Sequence, residues 1–199
     1  MANEAEKTLH EMQQVLTIDA NGVYETEEDK AELLWHELQN AYRSKRILSG
    51  VLSGVEETSS GSIAVVYYKG QRMIIPVSEM ELNLSEQNGY GEMKGRQVRI
   101  LNNMVGCEID FILIALDDTA RSVVASRRLA MLAKRRKFYF PNENGNAQIT
   151  EGRVVQARVI AVAEKVVRLE VFGAECAVPA RDIAWEWVGD AREKYHVGN

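Results

Sequence analysis

Apolar and polar residues alternate with several different periods along the chain, and each change of period marks an element. From Thr26, the residues Leu33, Leu34, Leu38 and Tyr42 recur at helical spacing, with Trp35 at one edge. Thr26-Glu27-Glu28-Asp29 has the form of a capping box, with aspartate where Glu or Gln is usual. Acidic residues suit the first turn and Lys45 and Arg46 suit the last, because of the helix dipole. The spacing predicts a helix over 26–45. Residues 1–25 show no sustained period and read as a loose acidic arm. From Leu48 the pattern turns strand-like. Ile47 to Val55 and Ile63 to Tyr68 are rich in β-branched and aromatic residues, and Lys69-Gly70-Gln71 turns the chain into a third strand, Arg72 to Pro76. Residues 79–103 are mixed, with Asn88-Gly89 and Gly91 as loop signals. Ile109 to Leu116 and Arg121 to Ala125 predict two more strands around Asp117-Asp118. Ser126 to Tyr139 returns to a helical pattern, and Pro141 to Asn146 has linker composition. Strand signals resume at Gly152 to Val162, Val166 to Phe172 and Glu175 to Pro179. Trp185 and Trp187 are expected in a corner helix, as packing residues or, with two strands of the second copy missing, as partly exposed ones, and Cys107 and Cys176 as small buried side chains.

An internal repeat organises these elements. Ile63 to Met80 aligns without gaps on Val166 to Ile183, a shift of 103. Gly70 meets Gly173, Pro76 meets Pro179, Val66 meets Leu169 and Glu79 meets Asp182. In the second copy Val167, Leu169 and Val171 alternate with Arg168 and Glu170, which predicts one dry and one wet face. One hairpin unit is used twice. Val197-Gly198-Asn199 falls opposite Val105-Gly106-Cys107, just before the fourth strand. The expected architecture is therefore mainly β. A five-stranded OB-type barrel at 46–126 carries flanking helices, a basic linker helix and loop follow at 127–148, and a second, truncated OB-like repeat occupies 149–199. A half-barrel with open edges is expected to belong to a longer protein, or to complete itself by strand swapping or self-association.

The ordered set of short motifs resembles the S-one RNA-binding domain. Gly50-Val51-Leu52, the turn glycine Gly70, the corner Pro76-Val77-Ser78, Val105-Gly106-Cys107-Glu108 and the strand end Val124-Ala125-Ser126-Arg127 follow that family's order. Gly152-Arg153-Val154 and Ala177-Val178-Pro179 fill the same places again, and Ser126 to Ala130 looks like the family's inter-domain helix. The resemblance covers 45–199. It implies tandem OB domains that hold single-stranded RNA by aromatic stacking over a basic groove, in a translation or RNA-regulatory setting. The chain departs from the RNA-binding members at the stacking positions, which fall near Gly61 and Ala64, and at the corner histidine, which is Pro76 here and Pro179 in the second copy. In this it is most similar to the N-terminal repeats of the small-subunit ribosomal protein that gives the family its name, repeats that serve more in ribosome docking. Weak RNA binding is therefore one expectation. A protein-docking scaffold, onto a ribosome component for example, is the other.

Composition narrows the classes further. The chain has 199 residues, 46% hydrophobic and 27% charged, with a net charge of −5. That mix suits a folded soluble protein, and no apolar run reaches membrane-spanning length. The polar, acidic start lacks a secretory pattern, and two distant cysteines suit a reducing cytoplasm. No nucleotide-loop, metalloprotease or serine-hydrolase motif occurs, and His10, His36 and His196 lack ligand spacing. The chain is expected to be no enzyme and to carry neither metal nor cofactor. Charge is unevenly spread: residues 1–44 carry a net of −7, whereas 127–137 carry six basic and no acidic residues. That stretch reads either as a phosphate- or arm-holding segment or as a solvated helix face. The RNA-contact candidates are Tyr67, Lys69, Arg72, Asp117 and Arg121 on the first barrel. Arg127, Arg128, Arg135 and Arg136 join them from the linker helix, and Arg158, Lys165 and Arg168 from the second copy.

Overall fold

β-branched and aromatic residues crowd a helix but fit a pleated sheet, and residues 48–76 accordingly form three antiparallel strands. In this computed structural model, residues 26–59, 61–82, 90–143 and 145–198 are described. Strands β1 (Leu48–Thr58), β2 (Gly61–Tyr68), β3 (Gln71–Pro76), β4 (Glu108–Asp117) and β5 (Ser122–Ser126) close into a barrel of order β1-β2-β3-β5-β4. The β3–β5 pair is parallel at Ile74 and Val124; the other pairs are antiparallel. This is the strand order of an OB fold. Leu52, Val66, Met73, Ile75, Phe111 and Leu113 fill the interior and are fully buried.

The chain divides into two units, Met1–His36 and Glu37–Asn199. Helix α1 (Glu27–Ser44) begins in the first. There the expected capping box forms reciprocally: Asp29 N donates to Thr26 Oγ1 at 3.1 Å and Thr26 N donates to Asp29 Oδ2 at 3.0 Å. The buried line of the helix is Trp35, Leu38 and Ala41, while Leu33 is exposed. In the second unit, helix α2 (Tyr90–Asn103) separates β3 from β4, so Gly91 lies inside a helix rather than marking a loop. Helix α3 (Arg127–Tyr139) follows β5 directly, with the Ser126 hydroxyl oxygen accepting from Leu129 N at its start. The arm over 1–25 and the Asn88-Gly89 signal lie outside the described residues.

Strands β6 (Arg158–Ala163), β7 (Val166–Val171) and β8 (Ala174–Pro179) form a second antiparallel sheet. Its hairpin reproduces the first one residue for residue. Ile63 pairs with Pro76 and Tyr68 with Gln71; 103 residues on, Val166 pairs with Pro179 and Val171 with Ala174. The register of β1 slips between Leu52 and Gly54 opposite Val66 and Val65, and that of β6 slips between Val159 and Ala161 opposite Leu169 and Arg168. Gly106 N donates to Leu52 O at 2.7 Å, and Gly198 N to Val159 O at 2.9 Å. Pro76 precedes a single 3-10 turn, and Pro179 precedes the short helix α4 (Ala180–Ile183). Val159, Val167, Ala180 and Ala191 form a separate small core, with Leu169, Ile183 and Tyr195 packed on it.

Three expectations are corrected in the second copy. The ladder starts at Arg158 and not at Gly152. Residues 48–51 of β1 pair with β4, whereas no strand among the described residues pairs with 155–157. Trp185 and Trp187 lie beyond α4, which ends where Ala184 turns extended, and both are exposed. Cys176 is exposed, while Cys107 is buried as expected.

Both hairpin turns place two successive residues at positive φ: Lys69 (48°) and Gly70 (85°), then Phe172 (45°) and Gly173 (95°). This is the backbone that a tight right-twisted hairpin requires. Their surroundings differ. Space around Gly70 is open. A Cβ at Gly173 would press on the Met131 carbonyl oxygen and lie 2.9 Å from Arg135 N, both on α3. Phe138 of α3 also packs on Phe172, with ring centroids 4.4 Å apart. The second turn is therefore seated on the linker helix. Gly70→Ala is expected to cost roughly 1–2 kcal/mol, from the left-handed backbone alone. Gly173→Ala should cost at least about 3 kcal/mol, because clash adds to strain. Urea unfolding of the two variants measures the difference; equal costs would separate the turn from α3.

Candidate nucleic-acid interface

The outer face of β1–β3 is built by alternation. Ala64, Val66, Met73 and Ile75 point inward, so Val51, Tyr67, Arg72 and Ile74 point outward. Tyr67 lies opposite Arg72 on one side and Val51 on the other. Tyr67 is 44% and Val51 46% exposed, which makes an apolar strip with one aromatic ring. Tyr68 points the other way, and its hydroxyl donates to Glu37 Oε1 at 2.8 Å. Gly61 and Ala64 offer no ring on the neighbouring part of β2.

The cations flanking this strip are engaged. Lys69 Nζ lies 2.7 Å from Glu37 Oε2, and Arg72 Nη2 2.7 Å from Glu56 Oε2. The hydrogen bond from Lys69 is the main cause that holds the Glu37 carboxyl below its ordinary range, with Tyr68 and Arg46 adding to it. Asp117 accepts from Thr119 N and Ala120 N and so closes the β4–β5 turn. Arg121 belongs to that turn, at φ 49°, and its carbonyl accepts from Gln71 Nε2 at 3.3 Å.

The basic stretch does not present one charged face. Arg127 is fully buried. Its guanidinium donates to Met80 O at 2.9 Å and lies 3.4 Å from Glu175 and 3.5 Å from Glu170. Arg128 pairs with Glu79, and Arg135 pairs with Glu81 while donating to Gly173 O. Lys134 bridges Asp110 and Glu170. Arg136 and Lys137 stay exposed. In the second copy, Arg158 reaches Asp110 at 3.3 Å and Arg168 reaches Glu175 at 2.6 Å, while the exposed Lys165 lies 3.8 Å from Glu164. The face carrying Arg168 and Glu170 is thus not wet, because α3 and β4 cover it.

Asp110, Glu170 and Glu175 were not legible as functional or structural partners, because each lies in a strand whose charge reads as solvent-facing. Together with Arg127, Lys134, Arg158 and Arg168 they form a buried ionic cluster that joins barrel, linker helix and second sheet. Burial alone would push the Asp110 carboxyl up. Hydrogen bonds from Lys134 and Ser49, with the Lys134 and Arg158 charges, outweigh burial and hold it below its ordinary value. Cys107, beside this cluster, is pushed up to about 11 chiefly by burial, which leaves it a protonated thiol at neutral pH. Among the described residues no group of three His, Cys, Asp or Glu side chains could hold a metal, and no helix is long and apolar enough to cross a membrane.

A closed OB-type barrel is followed by a three-stranded sheet whose β7–β8 hairpin has the register of the barrel's β2–β3 hairpin. Residues 148–199 match the S1 RNA binding domain family. Over 189 residues the chain is 24% identical to the small ribosomal subunit protein bS1 of Coxiella burnetii, which covers 93% of this chain and 31% of that protein. It is 27% identical over 185 residues to the bS1 protein of Neisseria meningitidis serogroup B, 89% of this chain and 29% of that one. The chain thus spans under a third of the length of these curated relatives.

Removing one buried carboxylate strands the cations around it. Glu170→Gln is expected to cost about 3–5 kcal/mol. Asp110, whose folded pKa is depressed, contributes stability that is complete above about pH 4 and is lost as pH falls through its lower folded value. Asp110→Asn should therefore lower stability at pH 7 and shrink the loss between pH 7 and pH 3. Urea midpoints across that range check both.

Proposed function

We propose that this chain is a non-catalytic RNA-binding protein that works in association with the ribosome, in the cytoplasm, and holds single-stranded RNA weakly through two S-one-like repeats. The repeats are 46–126 and 149–199, joined by 127–148. One observation carries the reading: the family match covers 148–199, and the hairpin in that segment recurs in the barrel with an identical register, 103 residues earlier. The shared register supports reading the barrel as the same kind of unit as the matched segment. The relatives' name, small ribosomal subunit protein bS1, supports the ribosomal setting.

On this reading Tyr67 stacks one base, at roughly 1–3 kcal/mol. Lys69, Arg72 and Arg121 of the barrel, Arg128 and Arg136 of α3 and Lys165 of the second copy lie nearest the phosphates, Asp117 shapes the β4–β5 turn, and Arg135, Arg158 and Arg168 act only through the carboxylates that hold them. Arg127 acts only through the cluster it holds. Weak binding follows from the charge arrangement. Lys69 and Arg72 must loosen from Glu37 and Glu56 before they can release counterions from RNA. The same pairing favours a second reading, in which the barrel docks a ribosome component.

Titration of labelled oligouridylate at low and moderate salt separates the two. Affinity should fall with salt in a linear log–log manner, and Tyr67→Ala should weaken it at least about fivefold. Absence of binding at about 50 mM salt, a condition that favours phosphate contacts, with retention on sedimented small subunits, would reject the RNA reading in favour of docking.

A further inference from the structure

Two arginines on one face of α2 lie outside the ion pairs of the described residues and beside a groove. Arg96 and Arg99 lie one helical turn apart on α2, so their side chains share a face. Both are exposed, and neither has a carboxylate within ion-pair distance among the described residues. They rim a groove of about 230 Å³ between α2 and the β6–β7 hairpin, whose floor is aliphatic: Ile100, Val162 and Val166. Arg168 also reaches this groove, but its guanidinium is held 2.6 Å from Glu175 and adds no uncompensated charge.

The combination selects a ligand class. Guanidinium forks match carboxylates bidentately and bind them with charge-assisted hydrogen bonds. The floor is apolar but carries no aromatic ring, so it offers a base nothing to stack on. Branched aliphatic walls instead fit a branched or linear aliphatic side chain. Apolar contacts in the middle with charges at the rim are the arrangement of a protein–protein contact. We propose that this groove docks an acidic peptide segment of a partner protein, placing carboxylates on Arg96 and Arg99 and an aliphatic side chain on Ile100, Val162 and Val166. This surface lies on α2 and β6–β7, away from the Tyr67 strip, and stands whether or not RNA binds there.

The test uses the full chain and a fluorescein-labelled peptide of about ten residues rich in Glu and Leu, with a Lys–Leu peptide as control, at about 50 mM salt where rim charges are weakly screened. Saturable binding is expected for the acidic peptide only, with amide shifts concentrated at 96–103 and 161–168. Arg96→Glu with Arg99→Glu should weaken it at least about tenfold, and Arg96→Gln with Arg99→Gln less so, through the loss of two charge pairs. Both positions are exposed, and an unchanged amide spectrum elsewhere verifies the fold. No saturable binding, shifts elsewhere, or affinity indifferent to both double substitutions overturns the proposal. So does displacement of the peptide by oligouridylate bound in the same groove, which would make it a nucleic-acid site.

Discussion

Everything between the two repeats depends on one buried guanidinium. Arg127 begins the linker helix at the last residue of the barrel, and its side chain has no exposure to solvent. Taking such a charge out of water costs several kcal/mol unless it is met on all sides. Glu170 and Glu175, from two strands of the second sheet, and the Met80 carbonyl from the barrel side meet its two terminal nitrogens, while its buried Nε has no partner among the described residues. Lys134, Arg158 and Arg168 then share the same carboxylates with Asp110 of β4. Each ion is held by the others, so displacing the second sheet from α3 would strand buried charge. An apolar interface would tolerate sliding; a buried ionic one does not, since misregister strands a charge.

That requirement shapes the surface as well. The six basic residues of 127–137 look like a phosphate track, yet Arg127, Arg128, Lys134 and Arg135 are committed to carboxylates of the protein itself. The same holds for Lys69 and Arg72 beside the Tyr67 strip. An acidic chain that draws its cations inward keeps little field to steer an anion from a distance. On the proposed reading, recognition rests on short-range features: the exposed Tyr67 on the barrel, and a groove where Arg96 and Arg99 have no carboxylate partner among the described residues.

The seating of the second turn shows how local and tertiary demands meet. Hairpin geometry alone asks for positive φ at Phe172 and Gly173, as at Lys69 and Gly70. Only at Gly173 does a helix backbone also occupy the space a side chain would need. Two glycines aligned by the repeat therefore do different work: one only turns the chain, and the other lets α3 approach.

Strand alternation, the turn glycines and the prolines at 76 and 179 were enough, by themselves, to place both hairpins, because a hairpin depends on neighbours two to about ten residues away. The capping box at Thr26 was legible for the same reason. The OB order was legible only as a count of five strands with an insertion after the third, since its closing pairs, Leu48 with Phe111 and Ile74 with Val124, are distant in sequence. Only the tertiary structure decided which charges are buried. Arg168 and Glu170 alternate with apolar residues as a solvent face would, and Arg127 sits in a run that reads as a helix surface. Their burial comes from the packing of α3 and β4 over β7, at separations of 36 to 48 residues. No local period encodes that distance. A charged side chain reads alike in sequence whether water or a carboxylate from a distant strand compensates it.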